Sequence, residues 1–322
     1  MNLFMKETRI NSKLIEHLVE HHTAIPNASM SNYTSFQVGG LTPALIKCES
    51  RDQILKIIQY LNLNKQSFIV IGQGTNLLVS DSGTDDFIVR FCNHNEPKLK
   101  ISNGIVTVGG EILLDEMVKN LNEKGYGDLS YLSGIPGTLG GAVKGNAGAF
   151  GEQIGDCLLR AELISYDGNQ RWVEKDELKF SYRSSALRNS REILLQAELV
   201  IKKVDSKNLN KRRDEILKLR KSKHPDWINE PCAGSIFRNI EPSSAADKRQ
   251  AAGWFLEQSG AHNLSEGKAV IYNKHANIII ANPGTSATDI FGLSQKMKKI
   301  VKQKFNLELV REVQLIGNFM DY

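Results

Sequence analysis

Apolar positions along this chain recur with two different periods, and the alternation between them predicts an α+β architecture. At Arg51–Leu63 the residues Ile54, Leu55, Ile57, Ile58 and Leu61 fall on one broad helical face. Residues 111–124 repeat that amphipathic spacing and stop at Gly125, a residue that ends helices at no steric cost. Phe68–Ile71 and residues 106–108 are instead short β-branched runs, read as strands; the first delivers the chain into Gly72, the second into Gly109-Gly110. Residues 77–80 also read as extended. Residues 45–47, 162–166 and 193–201 read as further strands, and residues 16–30 as a helix and a loop closed by Pro26. Past residue 203 the pattern gives a basic helix, then a strand starting at Gly234-Ser235 and a helix over about residues 247–260. A strand over 276–281, a helix over 288–305 and a closing strand over 310–316 complete it. This order implies separate α+β units, not one doubly wound sheet.

Two glycine-rich stretches interrupt the pattern. One is Gly72-Gln73-Gly74-Thr75-Asn76; the other is the run 133–151, in which seven of nineteen residues are glycine. Glycine accepts positive φ and lacks the Cβ that keeps main-chain N–H groups away from phosphate oxygens. Two such loops point to one ligand with an extended phosphate bridge. A Rossmann fingerprint is excluded, because Leu77 stands where the third glycine belongs and the following residues are extended rather than helical. By itself the first loop reads equally as a tight turn. The second, with rigid Pro136 among its glycines, is costly in chain entropy for a mere connection.

Composition narrows the class. A chain of 322 residues carries two or three domains, with a sharp change of composition near residue 203. Hydrophobic residues at 41% and charged residues at 24% are ordinary for a soluble globular protein. No apolar run approaches a membrane span and no secretory core precedes the first charges, so the expected location is cytoplasmic. Cys48, Cys92, Cys157 and Cys232 are scattered without metal-ligand spacing and read as free thiols, with no metal site. The net charge of +5 is uneven: residues 201–223 hold ten Lys and Arg against three acids, and the remainder is −2. That stripe reads as a solvated helix with one buried side (Ile216, Leu217, Leu219); no aromatic residues interleave with it for base stacking, so no nucleic-acid partner is expected.

Three further stretches carry candidate chemistry. Arg183 in Phe180-Ser181-Tyr182-Arg183-Ser184-Ser185 is either a surface arginine or a bidentate carboxylate clamp. Ser235 in Ala233-Gly234-Ser235-Ile236-Phe237-Arg238-Asn239 sits at a turn without a nucleophile elbow, which argues against a hydrolase. Glu312, in the apolar run 309–317, reads from pattern as an exposed alternate-face position.

Together these motifs carry a resemblance. The two glycine loops are similar to the FAD-binding domain of vanillyl-alcohol-oxidase-like flavoproteins. The whole set, from about Tyr33-Thr34-Ser35-Phe36 to Gly317, resembles the UDP-N-acetylenolpyruvoylglucosamine reductase (MurB) family of peptidoglycan synthesis. The resemblance implies a lead-in over 1–31, an FAD-binding domain of the vanillyl-alcohol-oxidase/PCMH type (two α+β subdomains) over 32–203, a smaller α+β substrate-binding domain over 204–309 and a closing strand over 310–322. Non-covalent FAD is expected on Gly72, Gln73, Gly74, Thr75, Asn76, Ser133, Gly134, Ile135, Pro136, Gly137, Thr138, Gly141 and Asn146. Arg183, Ser235 as proton donor and Glu312 are the implied catalytic residues; Lys223, Asn239 and Tyr182 are the implied substrate contacts. NADPH is the implied reductant. With no second dinucleotide fingerprint it would share one cavity in turn with the sugar-nucleotide substrate. None of the seven histidines lies in either loop, which speaks against a histidyl-flavin link.

The chain departs from the family pattern at Gly145, where many members have Met, and at Ile240, where many have Pro. Arg183 and Ser235 are only 52 residues apart, as in a compact branch without an inserted tyrosine lid. A monomer or weak oligomer without a membrane partner is expected. Two alternatives remain at this level: an FAD-dependent oxidase or dehydrogenase of a hydroxy acid or sugar lactone, and a non-enzymatic nucleotide-binding module using the basic helix.

Overall fold

The structure, a computed structural model, describes residues 12–95, 99–241 and 249–319. The predicted lead-in before Ser12, the predicted helix start at residue 247 and the last three residues lie outside them. Helix α1 (Ser12–His21) and strand β1 (Ala24–Ser29) occupy the stretch read as a helix and a loop. Pro26 misled that reading: β1 is the outermost strand of its sheet, where a missing N–H sacrifices no ladder bond. There follow β2 (Leu41–Cys48), α2 (Arg51–Leu63), β3 (Phe68–Ile71), β4 (Leu77–Val79) and β5 (Phe87–Phe91), the last unpredicted. The first sheet runs β1-β2-β5-β3; β1 is antiparallel to β2, and β5 is parallel to both β2 and β3. The predicted face of α2 (Ile54, Ile57, Ile58, Leu61) is buried against Ile46, Phe87 and Val89.

The second layer comprises β6 (Lys100–Ser102), β7 (Ile105–Gly109), α3 (Leu114–Glu123), α4 (Leu139–Gly145), the ribbon β8 (Gly148–Ala149) and β9 (Glu152–Gln153), the single turn α5 (Ile154–Cys157), β10 (Leu158–Ser165), β11 (Gln170–Glu174) and β12 (Glu192–Val200). Its five-stranded antiparallel sheet has the order β11-β10-β12-β7-β6. Met117, Val118 and Leu121 of α3 pack on Val106, Val108 and Leu199. Helix α3 starts three residues later than predicted because Ile112 and Leu113 form bridges to Asn93 and Thr138 instead. Helix α4 lies inside the glycine run that was read as loop.

The basic segment forms α6 (Ser206–Lys223), which packs against α3. Two of its three arginines are paired: Arg213 holds Asp115 with two bonds of 2.5 and 2.8 Å, and Arg212 reaches Asp128 at 2.6 Å and Glu152 at 2.5 Å. The last unit contains α7 (Ala252–Gln258), β13 (Ser265–Glu266), β14 (Ala269–Ile271), β15 (Ile279–Ala281) and α8 (Ala287–Phe305), with an antiparallel sheet β13-β14-β15 and a core of Phe237, Leu256, Ile278, Ile290, Leu293 and Met297.

The closing segment, predicted as one strand over 310–316, divides between two partners. Arg311 bridges Phe237, and the Glu312 N–H donates to the Ile236 carbonyl at 2.8 Å. After Val313 the chain continues as β16 (Gln314–Ile316), parallel to β4 with Gln314 opposite Leu77. Glu312 therefore sits where the last unit is tied back to the first. Among the described residues no helix is long and apolar enough to cross a membrane.

Candidate active site

Residues 72–76 join β3 to β4 and line a cavity of about 1440 Å³ that the second glycine run and Ser235 also face. None of the five main-chain N–H groups of residues 72–76 has an acceptor among the described residues. Gly74 holds φ 79°, and a Cβ there would overlap the Tyr33 carbonyl oxygen. A Cβ on Gly72 would stand 2.5 Å from Thr138 Oγ1, so the two loops touch only because Gly72 has no side chain. They are also stitched together: Gln73 Oε1 accepts the Gly137 N–H at 2.9 Å, and the Thr75 hydroxyl donates to the Pro136 carbonyl at 3.3 Å. The amides of the second run are largely satisfied internally. Gly134 donates to Asp115 at 2.7 Å, Leu139 to Ile112 at 2.9 Å, Gly140 to Gly110 at 2.8 Å, and Gly141 to Thr138 Oγ1, the N-cap of α4, at 3.3 Å. Five free donors in a row beside open space fit a pyrophosphate, the group that joins the halves of FAD.

The charged end of the cavity is built on a tight turn. Ser181 and Ser184 exchange main-chain bonds of 3.0 and 3.1 Å, leaving Tyr182 and Arg183 at the tip. Arg183 has φ 53°, a conformation that non-glycine residues keep only when their surroundings impose it. Here they do: Asn146 Nδ2 donates to the Ser181 carbonyl at 2.8 Å, and Arg183 Nη2 donates to the Gly148 carbonyl at 2.8 Å. Arg183 Nε lies 3.2 Å from Glu312 Oε1. Burial holds the Glu312 carboxyl above the usual carboxylate range, although Arg183, Arg238 and Arg188 pull it the other way. Ser235 follows Gly234 (φ 69°) and adjoins Ile236, whose carbonyl binds Glu312 N–H; its hydroxyl has no partner among the described residues. Arg183, Glu312 and Ser235, which the pattern places on three unrelated segments, thus share one cavity.

The remaining expectations divide. Tyr182 lines the cavity with the Arg249 guanidinium 3.6 Å over its ring, and Asn239 lines it while its Oδ1 accepts the Ala252 N–H at 3.2 Å. All residues expected from the two loops line the cavity except Ser133 and Asn146, which are fully buried behind it. Ser133 Oγ has no partner among the described residues, while Asn146 braces Gln153, Gly155 and Ser181. Lys223 is exposed and outside the lining; Arg220, Lys221 and His224 occupy it instead. Burial and the nearby Arg220 charge push His224 down to about 4, leaving a neutral ring at physiological pH. Arg220 and Lys223 fall four and seven residues after buried Ile216, on one helical face, so spacing does not separate them; what sets Arg220 apart is its side chain lying against Gly134 of the second glycine run. No spacing pointed to Lys144, also in the lining, whose ammonium burial and Arg188 both disfavour.

Fold and cradle together define an FAD-binding protein: residues 42–174 match the family described as FAD binding domain. Residues 226–316 match UDP-N-acetylenolpyruvoylglucosamine reductase, C-terminal domain. The chain is 32% identical to the UDP-N-acetylenolpyruvoylglucosamine reductase of Bacillus subtilis over 95% of its own length and 98% of that protein's. It is 33% identical to the Clostridium tetani enzyme of the same name, covering 95% and 96%. The crystal structure of UDP-N-acetylenolpyruvylglucosamine reductase (MurB) from Thermus caldophilus superposes with a TM-score of 0.73 at 27% identity, over 90% of this chain and 98% of that one. The chain belongs to the UDP-N-acetylenolpyruvoylglucosamine reductase family.

Proposed function

We propose that the protein reduces the enolpyruvyl ether of a UDP-N-acetylglucosamine to its lactyl ether, giving UDP-N-acetylmuramate for peptidoglycan synthesis in the cytoplasm, with NADPH as reductant. The observation that carries this reading is the meeting of Arg183, Glu312 and Ser235 in the cavity that the glycine loops wall. Residues 72–76 would hold FAD non-covalently, and the chemistry that group would supply is hydride transfer from NADPH to the terminal methylene carbon of the enolpyruvyl group. Negative charge then develops on the neighbouring carbon and its carboxylate. Arg183 and a protonated Glu312 donate hydrogen bonds to that charge in a water-poor pocket, where fixed donors need no reorganisation. Burial favours the protonated carboxyl, so its contribution fades as pH rises through the raised Glu312 value. The Ser235 hydroxyl, uncommitted among the described residues, delivers its proton to the carbanionic carbon and regains one from solvent. Tyr182, Asn239, Arg220 and Lys221 are placed to orient the sugar nucleotide, and Arg249 over Tyr182 ties the last unit to the Arg183 turn without an inserted lid.

The test is Ser235→Ala, followed by stopped-flow absorbance of the flavin band. Bleaching by NADPH should proceed at the wild-type rate, while its return with the enolpyruvyl sugar nucleotide should slow by roughly 10²- to 10⁴-fold. Equal loss of both half-reactions would refute the proton-donor role. A wild-type band restored by air as fast as by the sugar nucleotide would favour an oxidase instead.

A further inference from the structure

Arg188 has no part in the chemistry above, yet it touches both charged residues that do. It ends the 3₁₀ turn Ala186–Arg188, five residues after Arg183. Its Nη1 donates to the Arg183 carbonyl at 3.2 Å and its Nη2 to the Glu312 carbonyl at 3.3 Å. A single planar fork therefore spans the main chain of two residues that belong to different parts of the fold. Both ends need such a restraint: Arg183 is held at positive φ, and Glu312 lies where the closing segment changes partners. Among the described residues no carboxylate forms an ion pair with Arg188; its charge faces Glu312 and Arg238, and burial opposes it.

We propose that Arg188 is a positioning residue that fixes the Arg183 and Glu312 side chains at their mutual reacting geometry by clamping the two carbonyls behind them. This rests on the functional reading above. Without Arg188 the Glu312 carbonyl would keep, among the described residues, only the 3.4 Å contact from Asn76 Nδ2. The segment would stay anchored through the Glu312 N–H and β16, but the Glu312 peptide would be free to tilt against the Arg183 turn, and a displacement near 1 Å at such a site costs about 100-fold in rate. The guanidinium has a second, separable influence. The groups facing Glu312 are Arg183 from its turn, Arg238 from the segment after Ser235, and Arg188; all three favour the ionised carboxyl.

Two substitutions in the FAD-loaded protein separate clamp from charge. Arg188→Lys keeps the charge but cannot bridge two carbonyls, and Arg188→Met loses both. Both should retain flavin and bleach with NADPH within about twofold of wild type, yet return of the band with the enolpyruvyl sugar nucleotide should slow about 10- to 100-fold in each. Carbon-13 NMR of labelled glutamate, with Glu312→Gln for assignment, should show the Glu312 titration moved up in Arg188→Met and unmoved in Arg188→Lys. A re-oxidation rate near wild type in either variant overturns the clamp, as does flavin loss with both half-reactions falling together, which marks plain structural support. An unmoved Glu312 titration in Arg188→Met overturns the separate charge influence of Arg188 on Glu312, while the clamp stands or falls on the re-oxidation rates. If the wild-type protein itself ignores the enolpyruvyl ether, the functional reading falls, while the titration still tests whether Arg188 acts on Glu312.

Discussion

The two glycine loops have nearly the same composition and opposite uses for their amides. Residues 72–76 line the cavity and leave five successive N–H groups without acceptors among the described residues, whereas the run from Gly134 to Gly141 directs most of its amides into neighbouring carbonyls and side chains. Glycine serves different ends in each. In the first loop it allows a positive φ and an approach to Tyr33 that turn donors outward; in the second it allows backbones to close on one another, as where Gly140 lies against the Gly110 carbonyl. On the proposed reading the first loop would be the donor cradle for a phosphate, and the second the shaped wall that holds that loop in place.

Gly74→Ala challenges that division most severely. A methyl group at φ 79° would overlap the Tyr33 carbonyl, and main chain cannot step aside as a flexible side chain does. The loop would have to refold and its donors would scatter. The purified variant should lack the flavin band, with FAD affinity weakened at least ~100-fold by fluorescence titration, against a stability loss of about 1–3 kcal/mol. Full retention of flavin would end the claim that these five amides are the cradle.

Gln73→Ala works at the junction of the loops. It removes the acceptor of the Gly137 N–H without touching the free donors. Losing one such bond is worth about 1 kcal/mol, so FAD binding should weaken roughly five- to tenfold, well short of the Gly74 effect. A loss as large as that of Gly74→Ala would mean that the wall, not the cradle, dominates affinity.

Much of this organisation was legible in residues and spacing. The β3–loop–β4 device follows from a β-branched run, two glycines and renewed extended character, and Arg183, Ser235 and Glu312, the residues the resemblance singled out, line one cavity. What stayed hidden depends on partners that a linear pattern cannot name. Helix α4 was invisible because Leu139–Gly145 contains three glycines, poor helix formers that the Thr138 cap and burial of Leu139, Ala142 and Val143 override. Apolar alternation through residues 310–316 could not reveal a change of partner at Val313. Asn146 resembles a cofactor contact in its motif, yet its amide is taken up by the ribbon and the Arg183 turn. Lys223 and Arg220 share a basic stripe and one helical face, and only the contact of Arg220 with Gly134 in the folded chain tells which one lines the cavity.

Thr138→Val is the gentlest probe and separates wall from cradle most cleanly. Valine keeps the shape of threonine but deletes the oxygen that accepts the Gly141 N–H and caps α4. Such a cap contributes about 1 kcal/mol, so the melting temperature should fall by roughly 2–4 °C. The same change leaves residues 72–76 untouched, since Gly72 meets Thr138 only through van der Waals contact and the valine methyl occupies the place of Oγ1. FAD affinity should therefore change by less than about threefold, because only the wall's stability is altered and not the number of free donors. If affinity instead fell in step with Gly74→Ala while melting stayed constant, the hydroxyl of Thr138 would be a direct ligand, and the second loop would have to be counted as part of the cradle.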